Sequence, residues 1–518
     1  MTASPEAPAG PALYRHADAN PDRVALILGT RAASYRELAD RATRLANLLT
    51  ERGLVRGDAV ALLSEASVRY HEVVWACRIG GFSYTTVSTQ LGADEVRYIL
   101  SDSGAKALVL SGAVRCAEDL APDVPATVPV RLAQRGPLPG FEDYDEALHA
   151  ASPTRPAPGP EGQLLQYSSG TTGRPKGIVR DVPAGTPSMD IGTVLMLLLG
   201  VPEGATYLSP APPYHTAPIM WSMAVLAHGG TVVLMEKFDP EEALRLIQDR
   251  KVTHAQFVPT MFVRMLKLDE QVRTSYDLSS LVAVTHAAAP CPADVKHKML
   301  AWWGPIVAEY WSSSEGAGFT WISAQEWLEH PGSVGKPLMG PMHVCDEDGN
   351  ELPPGSEGVL WAEVPGGFHY LNDPEKDRAT THAQGWRTVG DIGRIDEDGY
   401  LYLTDRLAFM IISGGVNIYP QECEDVLIAH PAVFDVAVIG VPNDEMGEEV
   451  RAVVQPVRWA DAGPALAAEL LSYARERLAH YKCPKQIDFR EDLPRSDTGK
   501  LFKKPLRESY WTGAKDSS

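Results

Sequence analysis

Cysteine is scarce in this sequence, and its spacing is typical of neither a disulfide-rich protein nor a zinc-binding protein. The six cysteines are scattered along the chain: Cys77, Cys116, Cys291, Cys345, Cys423 and Cys483. They contain no Cys-x-x-Cys pair and no histidine at the spacing of a zinc site. We therefore expect neither a disulfide framework nor a structural zinc ion, and we interpret the thiols as reduced and mostly buried.

Basic residues and long apolar runs are also in short supply. The chain has 47 Lys and Arg against 67 Asp and Glu, a formal net charge of −20, which argues against a general nucleic-acid-binding surface. The longest apolar run, near 194–201, is interrupted by Gly200 and is too short to span a bilayer. The first residues lack the basic and apolar regions of a signal peptide. We expect a cytoplasmic protein without an integral membrane segment.

What the sequence does contain is an alternation of strand and helix patterns. Ser34 and Glu37 predict a capping box at the start of a helix. A buried strand is predicted at 58–63, and a strand entered through a glycine turn at 80–87. Such alternation predicts a mostly parallel sheet covered by helices. From Gly335 onward, short alternating segments with Asp-Gly turns predict a β-rich subdomain.

The length of 518 residues suggests more than one domain. The last stretch has the size and the pattern of a separate small domain, with its boundary near Asp405-Arg406. We predict the α/β class, with a large N-terminal domain (1–405) of parallel-rich sheets flanked by helices plus the β-rich subdomain. A small C-terminal α+β domain (406–518) is predicted to follow.

The most informative stretch is 167–177, Tyr-Ser-Ser-Gly-Thr-Thr-Gly-Arg-Pro-Lys-Gly, which follows a predicted short strand. Glycine lets backbone N–H groups approach an anion, hydroxyl groups donate hydrogen bonds, and Arg174 and Lys176 supply positive charge. The spacing is not that of the P-loop, Gly-x-x-x-x-Gly-Lys-Ser/Thr. A flexible linker is the alternative, but the density of hydroxyl groups beside Lys176 favours a loop that binds polyphosphate.

Five stretches in one fixed order carry a resemblance to a known family. They are 167–177, Glu309-Tyr-Trp-Ser-Ser-Ser-Glu315, Val389-Gly-Asp-Ile-Gly393 with Tyr402-Leu-Thr-Asp-Arg406, Ser413-Gly-Gly-Val-Asn-Ile-Tyr-Pro420, and Leu493-Pro-Arg-Ser-Asp-Thr-Gly-Lys500. Together they resemble the adenylate-forming superfamily of acyl- and aryl-CoA synthetases, adenylation domains and luciferases. The resemblance runs from Ser34 to Leu506. The stretches 286–292, 330–335 and 435–442 are most similar to bacterial fatty-acid or small-acid CoA ligases.

The resemblance implies a two-step reaction. A carboxylate attacks the α-phosphorus of ATP to give an acyl-adenylate and pyrophosphate, and the thiol of CoA then displaces AMP. Because two anions must meet, the first step needs alignment and fixed positive charge. The implied cofactors are ATP, Mg²⁺ and CoA, and the implied partner is a small-molecule acid or oxyanion. A homodimer is kept as a hypothesis, and no nucleic-acid partner is expected.

Carried onto this sequence, the resemblance assigns the β- and γ-phosphates to Ser168, Ser169, Gly170, Thr171, Thr172, Gly173 and Lys176. It assigns the rest of the nucleotide to Ala288, Ala289, Trp311, Ser314, Asp391 and Arg406. Trp311 would stack on adenine, Asp391 would accept hydrogen bonds from the ribose, and Glu315 would hold Mg²⁺. Without the resemblance, a core tryptophan and a turn aspartate are the ordinary interpretations of Trp311 and Asp391.

The resemblance also implies that the C-terminal domain is mobile. Lys500 would be the catalytic lysine that bridges the carboxylate and the α-phosphate, before the domain rotates and Gly414 and Gly415 line the path of pantetheine. Taken alone, Lys500 would be an ordinary surface charge. His215 lies either beside the incoming carboxylate or in the packed interior, and the sequence does not choose between the two.

Four departures from the family pattern are visible. Ala287 and Ser312 stand where glycine is common, and Lys503 stands where arginine is frequent, which is a mild change. The fourth is the hinge segment, where Ala408 replaces the polar hinge residue and Phe409 replaces a common acidic residue. An alternative is therefore kept, in which the acceptor is not CoA or the activated group is another oxyanion, such as nitrite for diazotisation of an aromatic amine.

A catalytically inactive homologue that acts as a scaffold is a third hypothesis. The joint retention of five functional residues argues against it, namely Lys176, Glu315, Asp391, Arg406 and Lys500.

Overall fold

A computed structural model describes residues 11–168, 175–180, 191–364, 366–414, 416–443, 445–495 and 501–515. Within these ranges the strands are β1 Val24–Leu28, β2 Arg31–Ser34, β3 Ala59–Leu63, β4 Ser83–Thr86, β5 Ala105–Ser111, β6 Val130–Gln134, β7 Glu142–Asp143, β8 Gln166–Ser168, β9 Lys176–Arg180, β10 Thr206–Ser209, β11 Thr231–Leu234, β12 His254–Phe257, β13 Ala283–His286, β14 Val307–Ser312, β15 Phe319–Ile322, β16 Lys336–Pro337, β17 Met342–Cys345, β18 Gly358–Ala362, β19 Phe368–Tyr370, β20 Asp391–Ile395, β21 Leu401–Arg406, β22 Ile411–Ser413, β23 Val416–Ile418, β24 Val433–Asn443, β25 Gly447–Pro456 and β26 Gln486–Phe489.

Over the same ranges the α-helices are α1 Ala12–Ala19, α2 Tyr35–Glu51, α3 Val68–Gly80, α4 Ala93–Asp102, α5 Ala117–Leu120, α6 Tyr144–Ala150, α7 Ile191–Leu198, α8 Thr216–Ala227, α9 Pro240–Arg250, α10 Pro259–Leu266, α11 Glu270–Arg273, α12 Ala293–Trp303, α13 Ala324–Glu329, α14 Pro374–Ala379, α15 Pro420–Ile428, α16 Pro464–Arg475 and α17 Lys503–Lys515. Short 3₁₀ turns lie at Ala121–Asp123, Leu407–Phe409, Trp459–Asp461 and His480–Lys482. In this part of the chain, no helix combines the length and the apolar character needed to cross a membrane.

The chain divides into two compact units. The first consists of Met1–Phe257, Leu268–Val284 and Phe368–Lys376, and the second of Val258–Lys267, Thr285–Gly367 and Asp377–Ser518. The predicted boundary between 405 and 406 is not tested by this division and stays a prediction.

The first unit is built on parallel strands. One sheet has the strand order β4-β3-β5-β6-β7, with every pairing parallel. A second run has the order β12-β10-β11-β1-β2, in which only the β1–β2 hairpin is antiparallel. Strands β8, β9 and β19 form a small antiparallel sheet, which holds the two ends of the predicted phosphate loop.

The second unit is mostly antiparallel. Strands β17-β18-β20-β21 form the predicted β-rich subdomain around a small apolar core. The order β23-β22-β25-β24, with β26 beside β25, forms the sheet of the C-terminal stretch, which has two apolar clusters of its own. Strand β14 pairs with β15, and β15 with β16. The predicted α/β class with parallel-rich sheets is confirmed.

The sequence predicted the start of one helix correctly and the start of one strand incorrectly. Ser34 and Glu37 form the predicted capping box at the start of α2, with Glu37 N–H 3.2 Å from Ser34 Oγ. The predicted strand at 80–87 is shorter than expected, because Gly80 still belongs to α3. Gly81 ends that helix in the left-handed conformation, with φ +75°, and the strand begins only at Ser83.

Candidate active site

The ends of the predicted phosphate loop are held together by the β8–β9 hairpin. Ser168 at the end of β8 pairs directly with Lys176 at the start of β9, and Tyr167 pairs with Gly177. A side chain at Gly177 would lie 3.1 Å from the ring of Tyr167, so this close pairing favours glycine. Five of the predicted phosphate ligands lie outside the described residues: Ser169, Gly170, Thr171, Thr172 and Gly173.

Lys176 already has an anionic partner in the same unit. Its ammonium group forms an ion pair with Asp373, and both side chains are about a quarter exposed (23% and 27%). Lys176 keeps the pKa of Asp373 below its ordinary value. Asp373 also caps α14, since its Oδ1 accepts from Lys376 N–H at 3.0 Å. A phosphate group that binds Lys176 must therefore compete with this carboxylate.

His215 is the N-cap of α8 and is half-buried. Its ring lies 4.5 Å from that of Tyr214, whose carbonyl accepts a hydrogen bond from Thr86 Oγ1 at 3.0 Å. Trp221, on the same helix, is buried and stacks on Tyr207, so it belongs to the core. These contacts position His215 without deciding whether it meets a substrate, and its role stays a prediction.

Three predicted nucleotide-binding residues from separate stretches meet in the second unit. Trp311 Nε1 donates to Asp391 Oδ2 at 3.0 Å, and Arg406 Nε lies 2.8 Å from Asp391 Oδ1. Asp391 and Arg406 face each other on β20 and β21. Asp391 is almost fully buried, and its Oδ1 has no aligned hydrogen bond to a described residue. The two oxygens of Asp391 are thus engaged by the indole and the guanidinium, which together fix the orientation of the carboxylate.

The charge at this point is set by Arg406. The carboxylate of Asp391 raises the pKa of Arg406, burial opposes this, and Glu315 adds a smaller effect in the same direction as Asp391. The guanidinium is therefore a permanent cation. Glu315 and Ser314 are half-buried in the turn after β14. A carboxylate and a hydroxyl are hard oxygen donors, which suit Mg²⁺.

The loop after β13 contains the predicted residues Ala288 and Ala289. Ala288 adopts the left-handed conformation with φ +75°, which is uncommon for a residue other than glycine, asparagine or aspartate. Ala287 is buried, Ala288 is exposed and Ala289 is half-buried. Alanine at 288 thus carries backbone strain that a glycine would avoid.

The predicted C-terminal residues are described only in part. Gly414 has φ +56°, and a side chain there would come within 2.4 Å of Met446 Cε. Gly415 and Lys500 lie outside the described residues, but Arg495 and Leu501 on either side of 496–500 form an antiparallel bridge. This bridge joins the two ends of the segment that contains Lys500.

The predicted hinge residue Ala408 lies in the 3₁₀ turn Leu407–Phe409. Lys503 Nζ lies 5.5 Å from the centre of the Phe409 ring and 2.8 Å from Glu424 Oε1. Both charged groups of that ion pair are buried. Lys503 is therefore a buried structural cation.

Sequence reasoning missed two features beside the predicted residues. One is Asp373, which pairs with Lys176 across almost 200 residues of chain. The other is a buried ion pair between Lys296 and Glu309. Glu309 lies two residues before Trp311. A charged residue inside the apolar strand β14 was the visible signal for Glu309, but its partner on α12 was not marked by any pattern.

The comparisons with known proteins identify the family. Residues 13–369 match the family model of the AMP-binding enzymes, and residues 422–500 match that of the AMP-binding enzyme C-terminal domain. The chain belongs to the AMP-binding enzymes, and with them to the adenylate-forming superfamily that its motifs predicted.

Several of its relatives bear the names of acid ligases. The chain is 34% identical to a feruloyl-CoA synthase of Amycolatopsis sp., over 96% of this chain and 98% of the relative. It is 31% identical to the fatty acid–[acyl-carrier-protein] ligase ScoC of Streptomyces coeruleorubidus, over 96% and 95%. Among solved structures, ATP-bound MatB from Rhodopseudomonas palustris matches with a TM-score of 0.81 and 30% identity, over 97% and 99%. The chain is thus an enzyme of the AMP-forming acid-ligase kind, with ATP as its nucleotide.

Proposed function

We propose that this protein activates a carboxylic acid with ATP, releasing pyrophosphate, and transfers the acyl group from the adenylate to CoA with release of AMP. The convergence of Trp311, Asp391 and Arg406 in the second unit is the observation that supports this best. An aromatic ring, an oriented carboxylate and a fixed cation suit adenine, ribose and phosphate respectively. The name of the feruloyl-CoA synthase gives CoA as the acceptor of that relative.

The individual roles belong to the same proposal. Lys176 and the loop 168–173 hold the β- and γ-phosphates, and Lys500 supplies the positive charge at which the carboxylate meets the α-phosphate. Ala288 and Ala289 border the nucleotide, and Ser314 lies near the α-phosphate. Glu315 would hold Mg²⁺, which when bound neutralises phosphate charge. Its half-buried carboxylate is a hard oxygen donor, which fits such a role.

The acceptor step requires the C-terminal residues. We propose that 406–518 forms a mobile domain which presents Lys500 for adenylation, and afterwards Gly414 and Gly415 to pantetheine. The left-handed Gly414 fits this role, because a side chain there would be strained at φ +56° and would have to displace the tip of Met446. A cytoplasmic location and a homodimer complete the proposal, and light scattering on the purified chain tests the dimer.

A second candidate function keeps adenylation and changes the acceptor or the activated group. Ala408 lies in an apolar 3₁₀ turn, Leu407–Phe409, which differs from the polar hinge of the family pattern. The ring of Phe409 in this turn lies 5.5 Å from Lys503 Nζ. The name of ScoC gives an acyl-carrier protein as the acceptor of that relative. Nitrite in place of a carboxylate is the other form of this alternative.

One screen separates these candidates. Release of AMP and pyrophosphate is measured over aliphatic acids, aromatic acids and nitrite, each with and without CoA. Acid-dependent AMP release together with a CoA thioester, detected by mass spectrometry, supports the main proposal. AMP release without a thioester supports the second candidate. Absence of pyrophosphate exchange with every acid and oxyanion would support the inactive scaffold.

A further inference from the structure

Three polar side chains form a fully buried group in the second unit: His286, Lys296 and Glu309. Their exposed fractions are 0%, 0% and 5%. Lys296 Nζ donates to Glu309 Oε2 at 2.6 Å, and His286 Nε2 lies 3.3 Å from the same oxygen. We call this group the buried cluster. It contains one cation, one anion and, as its surroundings indicate, one neutral ring.

Burial governs the protonation of the cluster. Burial raises the pKa of Glu309 while Lys296 opposes this, and burial together with Lys296 lowers the pKa of His286 well below its ordinary value. His286 is therefore neutral. Neither of its ring nitrogens has an aligned hydrogen bond to a described residue. A buried polar group without hydrogen bonds lowers the stability of the folded protein.

A gain in stability does not explain the presence of the Lys296–Glu309 ion pair either. Replacing a buried ion pair by apolar side chains of similar volume is often neutral or stabilising, because desolvation of the charges offsets their attraction. In some proteins a buried ion pair instead selects a single geometry, since two charges fix a distance and an orientation.

The cluster lies where two predicted parts of the nucleotide site begin. His286 is the last residue of β13 and directly precedes Ala287–Ala289. Glu309 lies on β14 two residues before Trp311, so both side chains leave the same face of the strand. The cluster thus connects the loop at Ala288 to the strand that carries the indole.

Aromatic rings enclose the cluster on two sides. The Phe262 ring meets that of His286 edge-on at 5.5 Å and that of Trp303 at 5.9 Å. Lys296 Nζ lies 4.7 Å from the centre of the Trp327 ring. The cluster and its rings therefore connect the end of β13, β14, α12 and α13 with α10, which carries Phe262. Such surroundings allow a strained residue like Ala288 to persist.

We propose that the buried cluster positions the loop Ala287–Ala289 relative to Trp311 and thereby sets the affinity for the adenine nucleotide. His286, Lys296 and Glu309 are positioning residues and act through the loop and the indole. This inference rests on the proposed function, in which Ala288 and Trp311 border the nucleotide.

The test removes the charges and keeps the shapes. Lys296→Met with Glu309→Gln is compared with a matched control in the first unit, Arg41→Met with Glu72→Gln. The control pair has its ions 2.7 Å apart, with Glu72 buried, and contains none of the predicted site residues. ATP affinity is measured by calorimetry without any acid, and KM for ATP by pyrophosphate exchange.

We expect the cluster variant to bind ATP at least tenfold more weakly with a cooperative melting transition, and the control variant to bind like the native protein. Equal ATP affinity of native, cluster and control proteins would overturn the inference. If the double variant does not fold, His286→Gln decides: a severalfold loss of ATP affinity supports positioning, and unchanged affinity refutes it.

Calorimetry keeps this test separate from the proposed function. A native protein that binds ATP but exchanges no pyrophosphate contradicts the proposed function and still allows the variants to decide on positioning. A native protein that does not bind ATP overturns both.

Discussion

Breaking the ion pair between Lys176 and Asp373 should strengthen ATP binding. Removing a contact that supports a binding residue would ordinarily weaken it. If Lys176 must leave Asp373 in order to bind the β- and γ-phosphates, Asp373→Asn should improve ATP binding. Asparagine is as good a helix cap as aspartate, so the start of α14 and the bond from Lys376 N–H are retained. The substitution removes the charge of the competing carboxylate and little else.

The size of the effect follows from the exposure of the pair. With side chains 23% and 27% exposed, the ion pair is worth up to about 1 kcal/mol. Since 1.4 kcal/mol corresponds to tenfold in affinity, the release of Lys176 should lower KM for ATP by up to about fivefold. Loss of repulsion between Asp373 and the triphosphate acts in the same direction.

The assay is the ATP dependence of pyrophosphate exchange, at low and high salt. Asp277→Asn is the matched control, because it breaks another lysine–aspartate pair of the first unit, with Lys251 3.2 Å away. We expect KM for ATP to fall only in Asp373→Asn, and the difference to shrink at high salt. A rise in KM, or a fall in kcat at unchanged KM, would mean that Asp373 orients Lys176 for the nucleotide, and would refute the competition.

Three further predictions concern other parts of the chain. Lys500→Ala should abolish adenylate formation and leave ATP binding within about twofold; normal pyrophosphate release by this variant contradicts the assignment. Trp311→Phe keeps a ring but removes the indole N–H that bonds to Asp391, so KM for ATP should rise about tenfold, as expected for a lost hydrogen bond to a charged group; an unchanged KM would contradict this. Burial raises the pKa of Asp425 to about 7, so the folded state holds a proton that the unfolded state has released, and stability should fall as pH rises from about 4 to 7. Asp425→Asn should flatten that profile and raise the free energy of unfolding at pH 8 by up to about 4 kcal/mol, as measured by denaturant titration, and a profile parallel to that of the native protein would refute it.

Local signals in the sequence were accurate where neighbouring residues alone decide the structure. The Ser34–Glu37 capping box depends on contacts within one turn of helix. The strand predicted at 80–87 began too early, because a glycine pair fits both a turn into a strand and the left-handed end of a helix. In the structure, Gly81 is the left-handed end of α3.

The candidate site shows the same division. The sequence named Trp311, Asp391 and Arg406 as residues of one site, because the order of their motifs matches a known family. It could not give the bond from the indole to Asp391, which joins residues 80 positions apart. Nor could it show that Lys176 has a competing partner, because Asp373 carries no motif.

By itself, the sequence determined the family, the chemistry and the residues expected to carry it, since these depend on residue type in a fixed order. Only the tertiary structure decided which charges are already paired, which backbone positions are strained and which ions are buried. Lys176 with Asp373, Ala288 at φ +75° and the buried cluster are all of this second kind. The reason is physical. The free energy of a charge or a strained residue depends on what surrounds it, and those surroundings come from segments far apart in the chain.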